Sequence, residues 1–364
     1  MTSVSRFPEP QAVTAPLTEY AIFLVATVEP CPDATQAART VVSEIDDLVR
    51  AVGFRSLHAG LTCVVGIGSD LWDRFGAASR PAHLRPFAAI DGYRHDAPST
   101  PGDLLFHIRA SRHDLCFELE RLILDALGDA VRVVDDTPGF RYFDARDLLG
   151  FVDGTENPVG EGLTEAAYVD DDDDFLGGSY VITQRYAHDL TAWGALSTEE
   201  QERIIGRTKA DDVELADEVM PSNSHVVLNT LTDDDGNDLD IVRFNMAFGS
   251  YAAGEVGTYF IGYAKDPAVT EEMLQNMFVG KPAGNYDRIL DFSTATSGCL
   301  FFVPSSATLA MLGNLPPVEA TDSRSRSSAG APAPTSGIEG DRDPTPSTAD
   351  GSLNVGSLRG EYER

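Results

Sequence analysis

The stretch Gly-Phe-Val-Asp-Gly-Thr-Glu-Asn-Pro, Gly150 to Pro158, constrains this chain more than any other. Gly150, Gly154, Asn157 and Pro158 are turn formers, whereas Phe151 and Val152 are bulky and apolar, so the run reads as a loop tied to a core. Asp153 stands between an apolar residue and a glycine that lets backbone or ligand approach closely. A carboxylate held this way is either a turn-capping residue or a functional base.

On either side of the loop the chain carries the same kind of pattern. Tyr20–Val28 is a short apolar run with β-branched residues, and predicts a buried strand. Residues 34–52 place Val41, Ile45, Leu48, Val49 and Val52 on one stripe, the spacing of an amphipathic helix. Strands are expected over 60–67 and 103–111, then a helix with Leu115, Leu119, Leu122, Ile123 and Ala126 on one face. Strands over 131–134 and 141–143 complete this half. Beyond the loop, strands are expected over 179–185, 224–231, 240–248, 256–263 and 299–303, with helices over 198–205 and 267–278. Strand, helix, strand, strand, helix, strand is the ferredoxin-like order, with helices on one face of an antiparallel sheet. The expected architecture is α+β, a two-sheet body that ends near residue 315.

Composition excludes several classes of function. The formal net charge is −31 and the pI is about 4.4, so neither nucleic acid nor an anionic membrane is an expected partner, since phosphate binding needs clustered Lys and Arg. Cys31, Cys63, Cys116 and Cys299 form no Cys-x-x-Cys pair and no Cys-x-x-Cys-His, so no zinc site, disulfide framework or covalently attached haem is signalled. The first residues have no charged segment followed by an apolar core, and no apolar run reaches membrane-spanning length, which makes a cytoplasmic location the expectation. The acidic run 168–175 reads as a solvated loop, and 231–240 as a hairpin turn, because Leu231 falls where a calcium loop needs its first ligand.

Three polar residues call for an explanation. On the segment 240–248, period-two alternation puts Ile241, Arg243, Asn245 and Ala247 on one face and Val242, Phe244, Met246 and Phe248 on the other. Arg243 and Asn245 thus point together from an apolar strand. His225 opens the expected preceding strand, where it is either a core histidine bonded to backbone or a ligand.

The full string 150–158 resembles the signature loop of the dye-decolorising peroxidases, in which the Asp of Gly-x-x-Asp-Gly is catalytic. The resemblance runs from about Leu17 to Asn314 and takes in segments 81–87, 184–193, 206–209 and 286–298. It is closest to the bacterial class B branch of this haem family, whose fold is a pair of ferredoxin-like units related to dimeric α+β barrels. The resemblance implies haem b, bound non-covalently, one per chain, with His225 as iron ligand. It also implies a distal trio of Asp153 as base, Arg243 as charge stabiliser and candidate partner of a haem propionate, and Asn245 as orienting residue. Asp287 is the expected carboxylate partner of His225, with Asp291 as the alternative, and Arg207 is a candidate for a haem propionate or a surface ion pair. Hydrogen peroxide and a small one-electron reductant such as a dye or phenolic are the implied substrates, and a homo-oligomer is the implied assembly. A haem-processing (deferrochelatase-like) protein or a haem carrier on the same scaffold is the alternative.

From Val318 onward the composition shifts to Pro, Ser, Ala, Gly and Asp, a linker that cannot bury a core. It leads to residues 350–360, where Leu353, Val355 and Leu358 reappear in a Gly-Ser-Leu repeat. That tail is similar to the cargo-loading peptides that dock enzymes inside encapsulin shells, which implies a shell protein as partner. The expected divisions are an N-terminal arm over 1–17, a ferredoxin-like unit over 18–149, a second with the haem site over 150–317, a linker over 318–349 and a targeting tail over 350–364.

Overall fold

The computed structural model describes residues 8–154 and 157–318. Residues 1–7 of the N-terminal arm, Thr155 and Glu156 of the loop, and nearly all of the linker and tail lie outside the described residues.

The first half supplies β1 (Tyr20–Val28), α1 (Pro32–Ser43), α2 (Ile45–Gly53), β2 (Thr62–Ile67), α3 (Ser69–Phe75), β3 (Leu104–Ala110), α4 (His113–Leu127) and β4 (Val131–Phe140). The strands pair antiparallel in the order β4, β1, β3, β2, with Tyr20 opposite Ala110 and Phe140. The second half adds α5 (Glu161–Ala167), β5 (Ser179–His188), α6 (Leu190–Gly194), α7 (Thr198–Ile205), α8 (His225–Asn229), β6 (Val242–Arg243), β7 (Met246–Ser250), β8 (Glu255–Ala264), α9 (Pro267–Phe278), β9 (Ser293–Ala295), β10 (Cys299–Val303) and α10 (Ser306–Gly313). Here β10 pairs β5, β5 pairs β8, and β8 pairs both β6 and β7. Taking β6 and β7 as one interrupted strand, this repeats the strand order of the first half.

The two sheets are not separate layers. Phe302 of β10 meets Ile67 of β2, and Gly139 and Phe140 of β4 meet Phe248 and Ala247 of β7. The ring β1, β3, β2, β10, β5, β8, β7, β4 therefore closes into a barrel, which removes the open edges that either sheet would have alone. Strand alternation divides the core accordingly. Ala21, Phe23 and Val25 point inward with Val64, Leu105, Val181, Phe244, Phe248, Ile261 and Phe301. Ile22 and Leu24 point outward and are covered with Trp72, Leu119, Ile123 and Phe302 under the helices.

Three expectations are corrected. The expected helix over 34–52 breaks at Glu44, because α1 packs on α10 while α2 packs on α4. The β4 strand continues through Thr137, Pro138 and Gly139, a sequence that reads as a turn, and residues 141–143 are not a strand. Pro138 is accommodated opposite Ile22, and glycine is favoured at 139, where a Cβ would stand 2.9 Å from that of Met246. Finally, residues 224–231 hold the helix α8 rather than a strand. Its Val-Val-Leu run is β-prone, but Ser224 caps it, with the hydroxyl accepting from the Val227 N–H, and tertiary packing overrides propensity.

Arg39 ties the last elements to the first, beside the apolar packing of Leu309 and Leu312. Its side chain is buried and donates to the carbonyls of Leu312, Leu315 and Pro316 at 3.2, 2.6 and 2.9 Å, which satisfies the end of α10 with a cation. Among the described residues no helix is long and apolar enough to cross a membrane.

Candidate active site

The loop after β4 reverses direction in a tight space. Phe143 and Ala145 adopt left-handed φ values of 43° and 65°, unusual for residues with a side chain and typical of over-determined functional loops. Gly150 has φ 94°, and a Cβ there would lie 2.5 Å from the Lys209 Cε, so glycine is required. Phe151 is buried beside Trp193, whose indole donates to the Leu149 carbonyl at 2.9 Å. The apolar half of the loop thus anchors it, and the Asp153 N–H donates to the Ala145 carbonyl at 2.9 Å to fix the next residue.

Asp153 is brought to Arg243 and Asn245 by the gap between β6 and β7. The backbone pairing with β8 lapses there because the Asn245 Oδ1 accepts the Ile261 N–H at 3.2 Å. With its oxygen committed, the Asn245 amide turns its nitrogen to Asp153, and Nδ2 donates to Oδ1 at 3.3 Å. Asn157 clamps the same strand from the loop: its Oδ1 accepts the Arg243 N–H at 2.9 Å and its Nδ2 donates to the Arg243 carbonyl at 2.7 Å. The Arg243 Nε is buried with no hydrogen-bond partner among the described residues. An orphaned guanidinium donor is costly unless a ligand completes it.

His225 occupies the first helical position of α8. Its Nδ1 lies 2.7 Å from the Asp287 Oδ2, and Asp287 is fully buried, its other oxygen accepting the Ile289 N–H at 3.0 Å. Asn229, one turn on, donates to the His225 carbonyl at 2.7 Å. Burial alone lowers the proton affinity of the imidazole, but the charge and hydrogen bond of Asp287 outweigh it and the net shift is upward. The Nε2 makes no hydrogen bond to a described residue. Asp291, the alternative partner, is engaged elsewhere, with His95 at 3.1 Å.

His225, Asp153, Arg243 and Asn245 all line one cavity that opens to solvent, with Phe151, Ile241, Phe260 and Met273 among its apolar walls. An adjoining cavity shares His225, Asp153 and Arg243 and reaches Arg207, Asp238 and Asp240. Arg207 follows the end of α7, not its exposed face, and its Nε pairs with the Asp212 carboxylate at 2.8 Å.

Three residues of this region were not singled out by sequence. Asn229 was hidden because its i, i+4 relation to His225 exists only once α8 is a helix. Asp147 lines the cavity beside Asp153; burial pushes its carboxyl up to about 7, opposed by the Phe151 N–H it accepts and reinforced by the Asp153 charge. His188 also lines it, but both ring nitrogens are occupied, by Thr258 and Ser293 at 2.9 Å each, which leaves neither for a ligand.

Burial pushes His188 down to about 4, so the folded protein holds it neutral. Between the unfolded value near 6.5 and that folded value, the unfolded chain binds the extra proton. Stability is therefore full above pH ~6.5 and is lost as pH falls toward 4, by about 3 kcal/mol from this one group. His188→Gln, which cannot titrate, is expected to flatten that part of the stability profile in denaturant unfolding at stepped pH. A profile of unchanged slope would contradict it.

Comparison with known proteins agrees with this geometry. The Dyp-type peroxidase N-terminal family matches residues 10–141, and the C-terminal family matches residues 144–308. A dye-decolorizing peroxidase of Mycobacterium tuberculosis is 53% identical over 352 residues, covering 96% of this chain and 97% of that protein. Among solved structures, a variant of DypB from Rhodococcus jostii in complex with heme is 60% identical with a TM-score of 0.82, covering 84% of this chain and 98% of that one. The encapsulated DyP-type peroxidase from Mycobacterium smegmatis is 55% identical with a TM-score of 0.82, covering 86% and 100%. Matches of this extent, over both halves of the barrel, place the chain in the Dyp-type peroxidase family, and it is a peroxidase.

Proposed function

We propose that this peroxidase works through one non-covalent haem b per chain, ligated by His225, and that it is packaged as encapsulin cargo. The observation that carries the haem reading is an imidazole whose Nδ1 is held by a buried carboxylate at 2.7 Å while its Nε2 has no hydrogen-bond partner among the described residues. Such a carboxylate–histidine pair fixes the tautomer that a metal ligand needs and makes it a stronger donor. The cavities suit a flat group with an apolar body and an anionic edge, since the walls of the first are largely apolar, the second is more polar and carries Arg207, and the orphaned Arg243 Nε awaits an acceptor. Arg207 is the second candidate for a propionate. None of the four cysteines lines either cavity, in keeping with non-covalent binding.

When bound, haem supplies the iron that splits the peroxide O–O bond and stores the oxidising equivalents. The protein supplies the proton movement. Asp153 takes a proton from the inner peroxide oxygen and returns it to the outer one, so the departing oxygen leaves as water. Arg243 stabilises the negative charge that develops on that oxygen, an electrostatic task of the kind that dominates such steps. Asn245 holds the Asp153 carboxylate through Nδ2 and is itself fixed by Ile261. A carrier or haem-processing protein needs the ligand but has no use for this trio, which favours peroxide chemistry. One-electron donors such as phenolics and dyes are the proposed reductants, and a homo-oligomer is the proposed assembly. Titration of the purified protein with haemin is expected to develop a Soret band with a break at one equivalent per chain; an equivalence point other than that would overturn the stoichiometry.

Packaging rests on the tail. The 96% of this chain covered by the Mycobacterium tuberculosis relative extends past residue 318, and a similar solved structure is of an encapsulated peroxidase. Leu353, Val355 and Leu358 would dock in a shell groove, each contributing up to about 1.5–3 kcal/mol by burial, with the enzyme inside a cytoplasmic shell. Deleting everything after Val318 is expected to leave peroxidase activity intact and to abolish co-purification with a co-expressed shell protein. Equal encapsulation of the truncated chain would reduce the tail to a bare end.

A further inference from the structure

Asp147 is a second carboxyl in the chamber that holds Asp153, and the steps described so far leave it without a task. One of its oxygens is fixed, since Oδ1 accepts the Phe151 N–H at 2.9 Å. The other takes no hydrogen bond from a described residue, and the half-buried side chain leaves it facing open space. That space has two parts. Asp147 and Asp153 both line the cavity of His225, and both also line a narrow cleft that includes Leu17, Tyr142 and the exposed Arg141. The two carboxyl groups therefore stand where the cavity meets an outward path.

The cations around Asp147 are committed elsewhere. Arg146 pairs with Asp144 and donates to the carbonyls of Gly150, Lys209 and Ala210, while the Lys209 Nζ donates to Gln201 at 2.6 Å. Arg243 lines the same cleft but makes no ion pair with Asp147. Burial, reinforced by the Asp153 charge, therefore holds the Asp147 carboxyl up at about 7, against the Phe151 and Gly150 N–H groups and His225. Near neutrality this group carries a proton part of the time, which an ordinary carboxyl does not. Turnover needs such protons at one stage only. In O–O cleavage Asp153 takes a proton and returns it. The two one-electron reductions that follow must bring two protons in, because peroxide, two electrons and two protons give two waters. A donor that carries no proton leaves both to come from solvent.

We propose that Asp147 passes these solvent protons from the cleft to Asp153, and so acts on the reaction through its neighbour. This rests on the reading of Asp153 as the distal base. In each handover the O–H bond of Asp147 breaks as one forms on the Asp153 carboxylate, which delivers the proton to the oxygen being reduced. A proton entering by the cleft restores Asp147. No electron moves at either carboxyl; the electrons come from the reducing substrate.

The test uses the haem-loaded full chain with ferrocyanide, a donor of electrons without protons. Asp147→Asn keeps an oxygen for the Phe151 N–H and loses the transferable proton, so a merely structural role survives it. It is expected to slow reduction by ferrocyanide at least about tenfold. The reaction with peroxide should stay within about twofold, because Asp153 recycles its own proton there. In the wild type, reduction should slow as pH rises through about 7, where Asp147 loses its proton, and Asp147→Asn should lack that limb. Asp147→Glu, which again carries a proton, is expected to recover most of the rate. The infrared carbonyl band of a protonated carboxyl should titrate over the same range in the wild type and be missing from Asp147→Asn, a readout independent of turnover. A wild-type reduction rate and pH profile in Asp147→Asn would overturn the relay, as would equal losses in the Asn and Glu variants. Asp153→Ala with wild-type rates toward both peroxide and ferrocyanide would instead remove the reading beneath it.

Discussion

His225→Ala is expected to lose most of its haem. The side chain is the one imidazole in the cavity with a nitrogen to spare, since His188 has both of its own committed to Thr258 and Ser293. Removal also strands Asp287, a carboxylate with no exposed surface, without its partner; breaking a buried pair in this way costs about 3–5 kcal/mol. The variant should therefore be less stable as well as colourless, and Asp287→Asn provides the control. With His225 retained, Asp287→Asn is expected to keep the haem with an affinity about ten- to a hundredfold lower. Absorption spectra of the proteins purified in parallel decide the matter. Wild-type haem occupancy in His225→Ala would sink the ligand assignment.

Arg243→Leu is the second large effect. The leucine keeps an apolar volume in the cavity wall and removes the one guanidinium among the described residues that line the first cavity, so the haem should stay while its reaction with peroxide slows. A donor of this kind is worth about 3 kcal/mol, more than a hundredfold in rate. Asp153→Ala should slow the same step, though Asn245 and water can relay the proton in its place. Stopped-flow spectra after mixing with peroxide separate the two. Unchanged rates in both variants would put the carrier reading ahead.

The fold was legible where apolar periodicity and length agreed. The helices Thr198–Ile205 and Pro267–Phe278 lie at the expected positions, because the first carries a capping box at Ser197 and Glu200 and the second a proline at its start. Barrel closure was not legible, because it rests on the few register pairs that join β10 to β2 and β4 to β7, and no local pattern encodes pairing between distant edges. Alternation on the segment 240–248 sorted Val242, Phe244, Met246 and Phe248 onto one face, and that face is the one buried inside the barrel. It could not show that Asn245 interrupts the strand, since that depends on a side chain replacing a backbone acceptor. His225 was assigned through family resemblance, on a segment expected as strand. Five residues with two valines carry too little periodicity to outweigh β-propensity, and only Ser224 hinted at the helix start.

The ring closes through β10, the last strand in the sequence, with a single register pair to β2. During synthesis every earlier strand can find a partner, yet β2 and β5 keep an unpaired edge until residues 299–303 have been made. Contacts that span nearly the whole chain form late and are slow to find. A prematurely terminated or cleaved product that lacks β10 therefore keeps two strand edges open, and an open edge is a template for pairing with another chain.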